Sequence, residues 1–312
     1  MGQRTLRPGP GVTILFVAPF FGESLSTATP PLDLLLPWNL AIMVAMYGSG
    51  ALLCREIARR WSLGVVGLCL LAAAYAVYEE ALVDRFWFDR SYAEESGVDD
   101  YGRVWDASLL LATHLSAFHI AISICASIVV VERLYPDHRE RAWAGKPALV
   151  VAAVALLLVF PLLWESFPTP PASRLVAAAG LAVLLVGLAL LPWARRSVGR
   201  TQPRSRRGTA WIAFGCTASH FVLVYSVPAF GIPWPLGLAV ALAPIGLGVL
   251  LLRRSTDGLR IVSGMVAFFA LLDVVIGLGG RYDLTIWGLG VAAVLWRLRR
   301  RAPDGVPAAP AT

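Results

Sequence analysis

The sequence predicts an all-α protein, a polytopic bundle of about ten transmembrane helices, from three observations. Hydrophobic residues make up 57% of the 312 residues and charged residues only 15%, whereas about a quarter of residues are charged in an average soluble domain. The apolar residues fall into runs of the length that crosses a bilayer. Lys and Arg concentrate in alternate gaps between these runs, as is typical of cytoplasmic loops.

Proline, glycine and arginine mark the ends of the spans in order along the chain. Arg4 and Arg7 precede the first span, and Pro30 and Pro31 separate it from the second, which opens near Pro37. Further prolines between 168 and 171 form the turn between the fifth and sixth spans. The ten spans are expected at about 11–27, 34–54, 62–82, 106–131, 147–165, 174–193, 209–227, 233–252, 260–279 and 284–298.

The basic residues also predict the orientation. With a cytoplasmic N-terminus, all but five of the 27 Lys and Arg residues lie on the cytoplasmic side, and the C-terminus is cytoplasmic too. A bacterial inner membrane is the expected location. The first span imitates a secretory signal peptide, but we expect it to stay uncleaved because Pro30 and Pro31 would follow the cleavage site. The five remaining basic residues are Arg85, Arg90, Arg103, Arg174 and Arg281.

The net charge of +7 indicates cytoplasmic arginine clusters that attract anionic lipid headgroups, and not nucleic-acid binding. The arginine-rich segment 195–208 is in addition a candidate contact for a cytoplasmic protein partner. All four cysteines lie within spans, so no disulfide framework is expected.

We expect one integrated membrane domain. Residues 1–146 hold helices one to four with an acidic outside loop, and 147–312 hold helices five to ten. A parallel repeat of the first four helices in the last four is a further prediction, since Pro37-Trp38 is echoed by Pro233-Trp234.

Ionisable groups inside the spans are the candidate functional residues, because the bilayer makes them costly and they usually face a protein interior or a wet cavity. With about 1.5 Å of rise per residue, Glu79, Glu80 and His114 come out about 25–27 Å above the cytoplasmic boundary. Glu23, His119, His220 and Asp273 come out about 16–20 Å above it. The sequence therefore predicts a polar cavity that opens outward, with Tyr75 one turn below Glu79 as a hydrogen-bond partner.

Spacing restricts the chemistry of these groups. His114 and His119 diverge by about 140° on an ideal helix, so they cannot chelate one metal together. Glu79 and Glu80 diverge by about 100°, so one is expected to face the cavity while the other caps the helix or faces solvent. The predicted site joins Glu79 or Glu80 with His114, as a general acid/base pair or as half of a divalent metal site. The sequence does not indicate which divalent metal would bind.

Two resemblances arise from particular motifs. The segments 22–31 (GESLSTATPP), 47–56 (YGSGALLCRE) and 75–82 (YAVYEEAL) resemble an uncharacterised family of prokaryotic polytopic membrane proteins over roughly the first 145 residues. The glutamate pair followed by Arg85, with histidines on the next helix, is also similar to the CAAX-type glutamic intramembrane proteases. That similarity implies a water-activating glutamate at Glu79 or Glu80 beside His114 or His119. Arg85 follows one residue late, and no later histidine has Asn or Asp where that family has it.

Three functions follow from these features: an intramembrane hydrolase built on Glu and His, a proton- or cation-coupled carrier using Asp273 near the midplane, and a noncatalytic scaffold or partner subunit. Clustering of the ionisable groups in the fold favours chemistry, and dispersal favours the scaffold.

Overall fold

The computed structural model describes residues 8–195, 208–253, 255 and 257–300. Four helical stretches change from α to π geometry along their length. The first joins α1 (Pro10–Pro19) to the π segment Phe20–Ser24, and the second joins α3 (Pro37–Met43), Val44–Gly48 and α4 (Ser49–Arg60). The third joins α5 (Val65–Val77) to Tyr78–Val83, and the fourth joins α7 (Leu109–Phe118), His119–Ala126 and α8 (Ser127–Leu134).

The other long helices are uninterrupted. They are α9 (Lys146–Leu162), α10 (Ala172–Leu190), α11 (Thr209–Ser226), α12 (Trp234–Leu252), α13 (Gly258–Gly277) and α14 (Tyr282–Arg300). Shorter elements fill the connections: α2 (Pro31–Leu34), α6 (Arg90–Glu95), the antiparallel pair β1 (Arg103–Val104) and β2 (Ala107–Ser108), and 3₁₀ turns at Pro136–His138, Trp164–Ser166 and Pro192–Arg195.

The all-α bundle is confirmed, and each predicted span corresponds to a long helix. Six helical stretches are long and apolar enough to cross a membrane; α9 and the stretches that contain α1, α11 and α14 are shorter or less apolar. Proline stands in the first turn of α1, α3, α9 and α12, where its missing N–H costs no helical hydrogen bond.

Contacts between loops confirm which connections share an end of the bundle. At the acidic end, Arg174 pairs with Asp106 at 3.0 Å, and Arg281 pairs with Asp33 at 2.8 Å. At the opposite end, the Tyr135 hydroxyl donates to the Pro8 carbonyl at 2.7 Å. These are the two groups of loops expected from alternating spans. Which of the two ends faces the cytoplasm stays a prediction. The parallel repeat of the first four helices in the last four also stays a prediction.

The central helices form the core, and some outer helices expose apolar surface. In the stretches Pro37–Arg60, Val65–Val83 and Leu109–Leu134, between 56% and 61% of the span is buried, against 11% in α10 and 22% in α12. The first helix belongs to the centre, since Ile14 and Ala18 on α1 are fully buried. The π segments therefore lie where the bundle is best shielded from lipid and water.

A buried arginine fixes the end of α4 to the connection that precedes α9. Arg55 is 1% exposed and pairs with Glu56 at 2.5 Å. Its guanidinium also donates to the Arg139 carbonyl at 2.8 Å and lies 4.0 Å from the centre of the Trp143 ring. Glu56 in turn accepts the Trp143 backbone N–H at 2.8 Å. One ion pair thus satisfies several buried polar groups at this end.

Candidate functional site

Each of the four π segments contributes to one buried polar cluster. Phe20–Ser24 carries Glu23, Val44–Gly48 carries Tyr47, Tyr78–Val83 carries Glu79 and Glu80, and His119–Ala126 begins with His119. A π turn replaces the i→i+4 hydrogen bonds of an α-helix with i→i+5 bonds, and such turns are frequent at functional sites. Their convergence on one cluster marks it as the candidate site.

His119 lies between the two adjacent glutamates. Its Nε2 is 2.6 Å from Oε1 of Glu80, and its Nδ1 is 3.1 Å from Oε2 of Glu79. The Ser123 hydroxyl is a further neighbour of Nδ1 at 3.0 Å. All three ionisable side chains are at most 4% exposed. The imidazole can therefore exchange a proton with either carboxylate without solvent between them.

Two expectations about this region are wrong. Glu80 contacts His119 and not His114. Glu79 and Glu80 also do not diverge into cavity and solvent, since both are buried and both approach the same imidazole. The reason for the second is the π geometry of Tyr78–Val83, whose wider turn brings successive side chains closer in direction than the α-helix assumed for the prediction.

Glu23 and Tyr47 support His119 from the first two helical stretches. The Tyr47 hydroxyl donates to Oε1 of Glu23 at 2.7 Å, and the Thr29 hydroxyl donates to Oε2 at 2.6 Å. The Tyr47 ring stacks on the His119 ring with centroids 5.9 Å apart and an angle of 28°. Glu23 thus joins the cluster, as expected. Sequence reasoning missed Tyr47 as a member of the site.

Tyr75 lies beside Glu79, as its position one turn earlier predicts. It interacts electrostatically with Glu79, but its buried hydroxyl makes no well-formed hydrogen bond within the described residues. Its ring packs edge-on against His119 at 6.4 Å. Tyr75 therefore shapes the wall of the site, and its predicted hydrogen bond to Glu79 is present only as a weak interaction of poor geometry.

Two glycines make room for these tyrosine rings. A Cβ atom at Gly22 would collide with the Tyr47 ring, and one at Gly50 would collide with the Tyr75 ring. Gly187 on α10 is a matched control, because nothing lies within 4 Å of the corresponding position.

We expect Gly22→Ala to lower the free energy of unfolding by about 1–3 kcal/mol, because overpacking displaces the Tyr47 ring from Glu23 and His119. Gly187→Ala should be neutral or slightly stabilising, since alanine is the better helix former. Thermal unfolding in detergent measures both. Equal effects of the two substitutions would contradict the tight contact at Gly22.

His114 and His220 form a second buried group. Nδ1 of His114 is 3.1 Å from Nε2 of His220, and the Tyr225 hydroxyl is 3.3 Å from Nε2 of His114. Nδ1 of His220 lies 2.7 Å from the Ala241 carbonyl. The expected divergence of His114 and His119 is thus observed, because the two imidazoles belong to different groups.

Asp273 stands apart from both groups. It is fully buried on α13, and neither carboxylate oxygen has a hydrogen-bond partner in the described parts of the chain. The helix α14 packs closely at this position, where a Cβ at Gly288 would lie 3.1 Å from Cβ of Asp273. The prediction of a buried mid-helix acid holds, but the hydrogen-bonded partners expected of a structural acid are not present.

The donor set of the first cluster fits a divalent metal. Glu79, Glu80 and His119 each offer one ligand atom, and these atoms lie within 4.8 Å of one another. One imidazole nitrogen and two carboxylate oxygens suit zinc, manganese or ferrous iron, and three protein ligands leave a position for water. Three carboxylate oxygens of the pair are buried without a well-formed hydrogen bond from a described residue, so acceptor capacity is free for an ion.

The comparisons with known proteins give a family and no activity. No curated protein matches the chain, and no solved structure matches it. No similarity to the CAAX-type glutamic proteases is shown. An uncharacterised membrane protein family matches residues 12–299, well beyond the first 145 residues in which the resemblance was expected. Because this match spans nearly the whole chain, the protein belongs to that uncharacterised membrane protein family.

Proposed function

We propose that the protein is an intramembrane hydrolase in which Glu79, Glu80 and His119 activate water. One observation carries the proposal: three of the four carboxylate oxygens of the glutamate pair are buried, and no described residue gives them a well-formed hydrogen bond. Tyr47 and Tyr75 reach Glu79 only weakly. A buried unpaired acceptor costs about 1–3 kcal/mol, so these oxygens are expected to bind a polar ligand during function. Water beside paired carboxylates and an imidazole is the ligand set of acid–base hydrolysis.

The geometry suggests a division of labour. Neither oxygen of Glu79 has a well-formed hydrogen bond from a described residue, so Glu79 is the general base that takes a proton as the water oxygen bonds to a carbonyl carbon. His119, held at Nε2 by Glu80, donates a proton from Nδ1 to the leaving group as the carbonyl carbon's bond to that group breaks. The charge of Glu80 stabilises the imidazolium before that step. Glu79, Glu80 and His119 would hold a divalent metal if one binds, and its Lewis acidity at the carbonyl would then take the place of the proton transfers assigned to Glu79 and His119.

The location of the centre restricts the substrate. All three residues lie in helical stretches apolar enough to cross the membrane, and all are buried. The scissile ester or amide is therefore expected to belong to a molecule embedded in the bilayer. The convergence of the ionisable groups also supports chemistry over a purely noncatalytic scaffold.

The test is hydrolysis by the purified protein, reconstituted in liposomes with a panel of fluorogenic membrane-anchored esters and peptides. Wild-type protein should release product, with and without added zinc or manganese as separate arms. Loss of the signal in His119→Gln protein that unfolds like wild type assigns the activity to this centre. A signal unchanged by His119→Gln, or no signal with any substrate, overturns the proposal.

A proton-coupled carrier is the second candidate, favoured by the unpaired, fully buried Asp273 on α13. Ionisable residues inside spans often form proton relays. If Asp273 couples transport, Asp273→Asn should abolish pH-driven flux of cations or amines into liposomes while the protein stays folded. Absence of flux in wild-type protein removes this candidate.

We also infer that the arginine-rich end faces the cytoplasm of a bacterial cell and contacts anionic lipid headgroups. Arg139 and Arg141 lie at this end. The suggested partner segment at 195–208 falls mostly outside the described residues. In a background without native cysteines, an impermeant thiol reagent on intact cells should label Glu95→Cys and leave Ala142→Cys unlabelled. The reverse result inverts the orientation.

A further inference from the structure

The hydrogen bonds around His114 and His220 have only one consistent direction when both rings are neutral. The Ala241 carbonyl can only accept, so Nδ1 of His220 carries a hydrogen and donates to it. Nε2 of His220 is then the acceptor for Nδ1–H of His114. This leaves Nε2 of His114 to accept from the Tyr225 hydroxyl. Both histidines are thereby fixed in the tautomer protonated at Nδ1.

The end of this chain of hydrogen bonds is fixed by the helix α12. Ala241 lies next to Val240, whose carbonyl has no helical donor because Pro244 has no N–H, and the irregular helix turn there accommodates the contact from His220. A carbonyl cannot pass a proton onward. The chain begins at the Tyr225 hydroxyl, which is partly buried, and stops at Ala241. The arrangement therefore suits proton storage and not conduction through the bundle.

One added proton fits without breaking a contact. If His114 becomes an imidazolium, its Nδ1–H still donates to His220, and its new Nε2–H donates to the Tyr225 oxygen, which turns from donor to acceptor. A second proton would place N–H groups of both rings face to face across 3.1 Å. We propose that His114, His220 and Tyr225 form a binding site for one proton, separate from the Glu79–Glu80–His119 centre.

Several other ionisable groups lie on the elements packed around the pair. The helix α12 contributes no titratable side chain. His119 is the nearest ionisable group on the same helical stretch and influences His114 electrostatically. The remaining titratable or charged side chains on these elements are Cys69, Tyr75, Tyr78, Glu79, Glu80, Arg103, Cys125, Cys216, Arg260 and Asp273, and Tyr92 and Tyr101 lie in the same apolar cluster as Tyr225.

Nitrogen NMR of protein labelled with ¹⁵N only in histidine tests the site, since the chain has just 4 histidines. His138→Gln identifies the exposed reference ring, and the glutamine variants of the other histidines assign the rest. At high pH, His114 and His220 should both show the Nδ1–H tautomer, with a scalar coupling across the N–H···N bond. On acidification, the pair should take up one proton while the coupling persists.

Tyr225→Phe is the matched variant, because it keeps the ring and removes the hydroxyl. In this variant both rings should keep the Nδ1–H tautomer at high pH, because the Ala241 carbonyl still orders them. The added proton should bind more weakly and at lower pH, because Nε2–H of His114 has lost its acceptor. A wild-type pair with an Nε2–H tautomer at high pH, or one whose coupling vanishes with the first proton, overturns the proposal. These wild-type spectra decide the matter even if a histidine variant fails to fold.

Discussion

Replacing Glu79 with glutamine is expected to reduce the hydrolytic rate by about 10²–10⁴-fold, the usual contribution of a positioned general base. Glutamine keeps the shape of the side chain but cannot take the proton of the attacking water. Glu80→Gln is expected to cost less, because its amide oxygen can still accept from Nε2 of His119 and preserve the ring's orientation. What it loses is the negative charge that stabilises the imidazolium.

The same two glutamine substitutions should leave the unfolding temperature unchanged or raise it, although they lower the hydrolytic rate. Both glutamates are buried, and adjacent carboxylates disfavour each other's charge, so a neutral amide relieves desolvation and repulsion. Unfolding of Glu79→Gln and Glu80→Gln should therefore occur at the wild-type temperature or above it. Such a separation is typical of a site whose arrangement is retained for function at a cost in stability.

The hydrolysis assay with thermal unfolding in parallel measures both effects, and Glu94→Gln is the control because Glu94 is exposed on α6. It should change neither rate nor stability. If Glu79→Gln retains full activity, Glu79 is not the base. If Glu80→Gln loses more than Glu79→Gln, the two roles are exchanged.

Replacing Arg55 with alanine should have the largest effect on stability, about 3–5 kcal/mol. The substitution leaves the fully buried Glu56 without its closest cation and removes the donor to the Arg139 carbonyl. The Trp143 ring loses the guanidinium that packs on it. Breaking one half of a buried ion pair is costly because the other charge remains buried.

Arg59 on the same helix provides the control. Its side chain is 38% exposed and pairs with Glu140, which is 77% exposed, so Arg59→Ala should cost less than about 1 kcal/mol. Denaturant unfolding in mild detergent compares the two variants. Similar losses for both would show that the buried network at the end of α4 does not stabilise the fold as its contacts indicate.

The helical fold could be predicted because the bilayer imposes a simple pattern. Apolar length and the distribution of arginine located all ten long helices and the two groups of loops. Of the polar residues predicted to share one cavity, Glu23, Glu79, Glu80 and His119 meet in one cluster, whereas His114, His220 and Asp273 lie outside it. These residues could be selected from the sequence because an ionisable side chain inside a span is energetically costly and usually faces the protein interior.

The partners within the site could not be predicted, because the estimates of depth and direction assumed straight α-helices. They placed His114 level with the glutamates and His119 about 8 Å lower, whereas His119 makes the contact. Helix tilt and the π turns change both the depth of a residue in the membrane and the direction of its side chain. No residue type in the sequence identifies a π turn. Tyr47 was missed for a different reason. A tyrosine within an apolar span is usually interpreted as a residue that packs in the helix bundle and not as part of a polar site.

The four π segments have a consequence for how this family varies. A π turn holds one more residue than the α turn it replaces, so losing a single residue there would let the span return to α geometry. The helix would still cross the membrane and its flanking turns would keep their directions, yet the side chains within the former π turn would rotate relative to their neighbours. Relatives one residue shorter in Tyr78–Val83 or His119–Ala126 would thus conserve glutamate and histidine while separating them. A relative is therefore expected to form the Glu79–Glu80–His119 cluster only if its π segments have the same number of residues, in addition to the same glutamates and histidine.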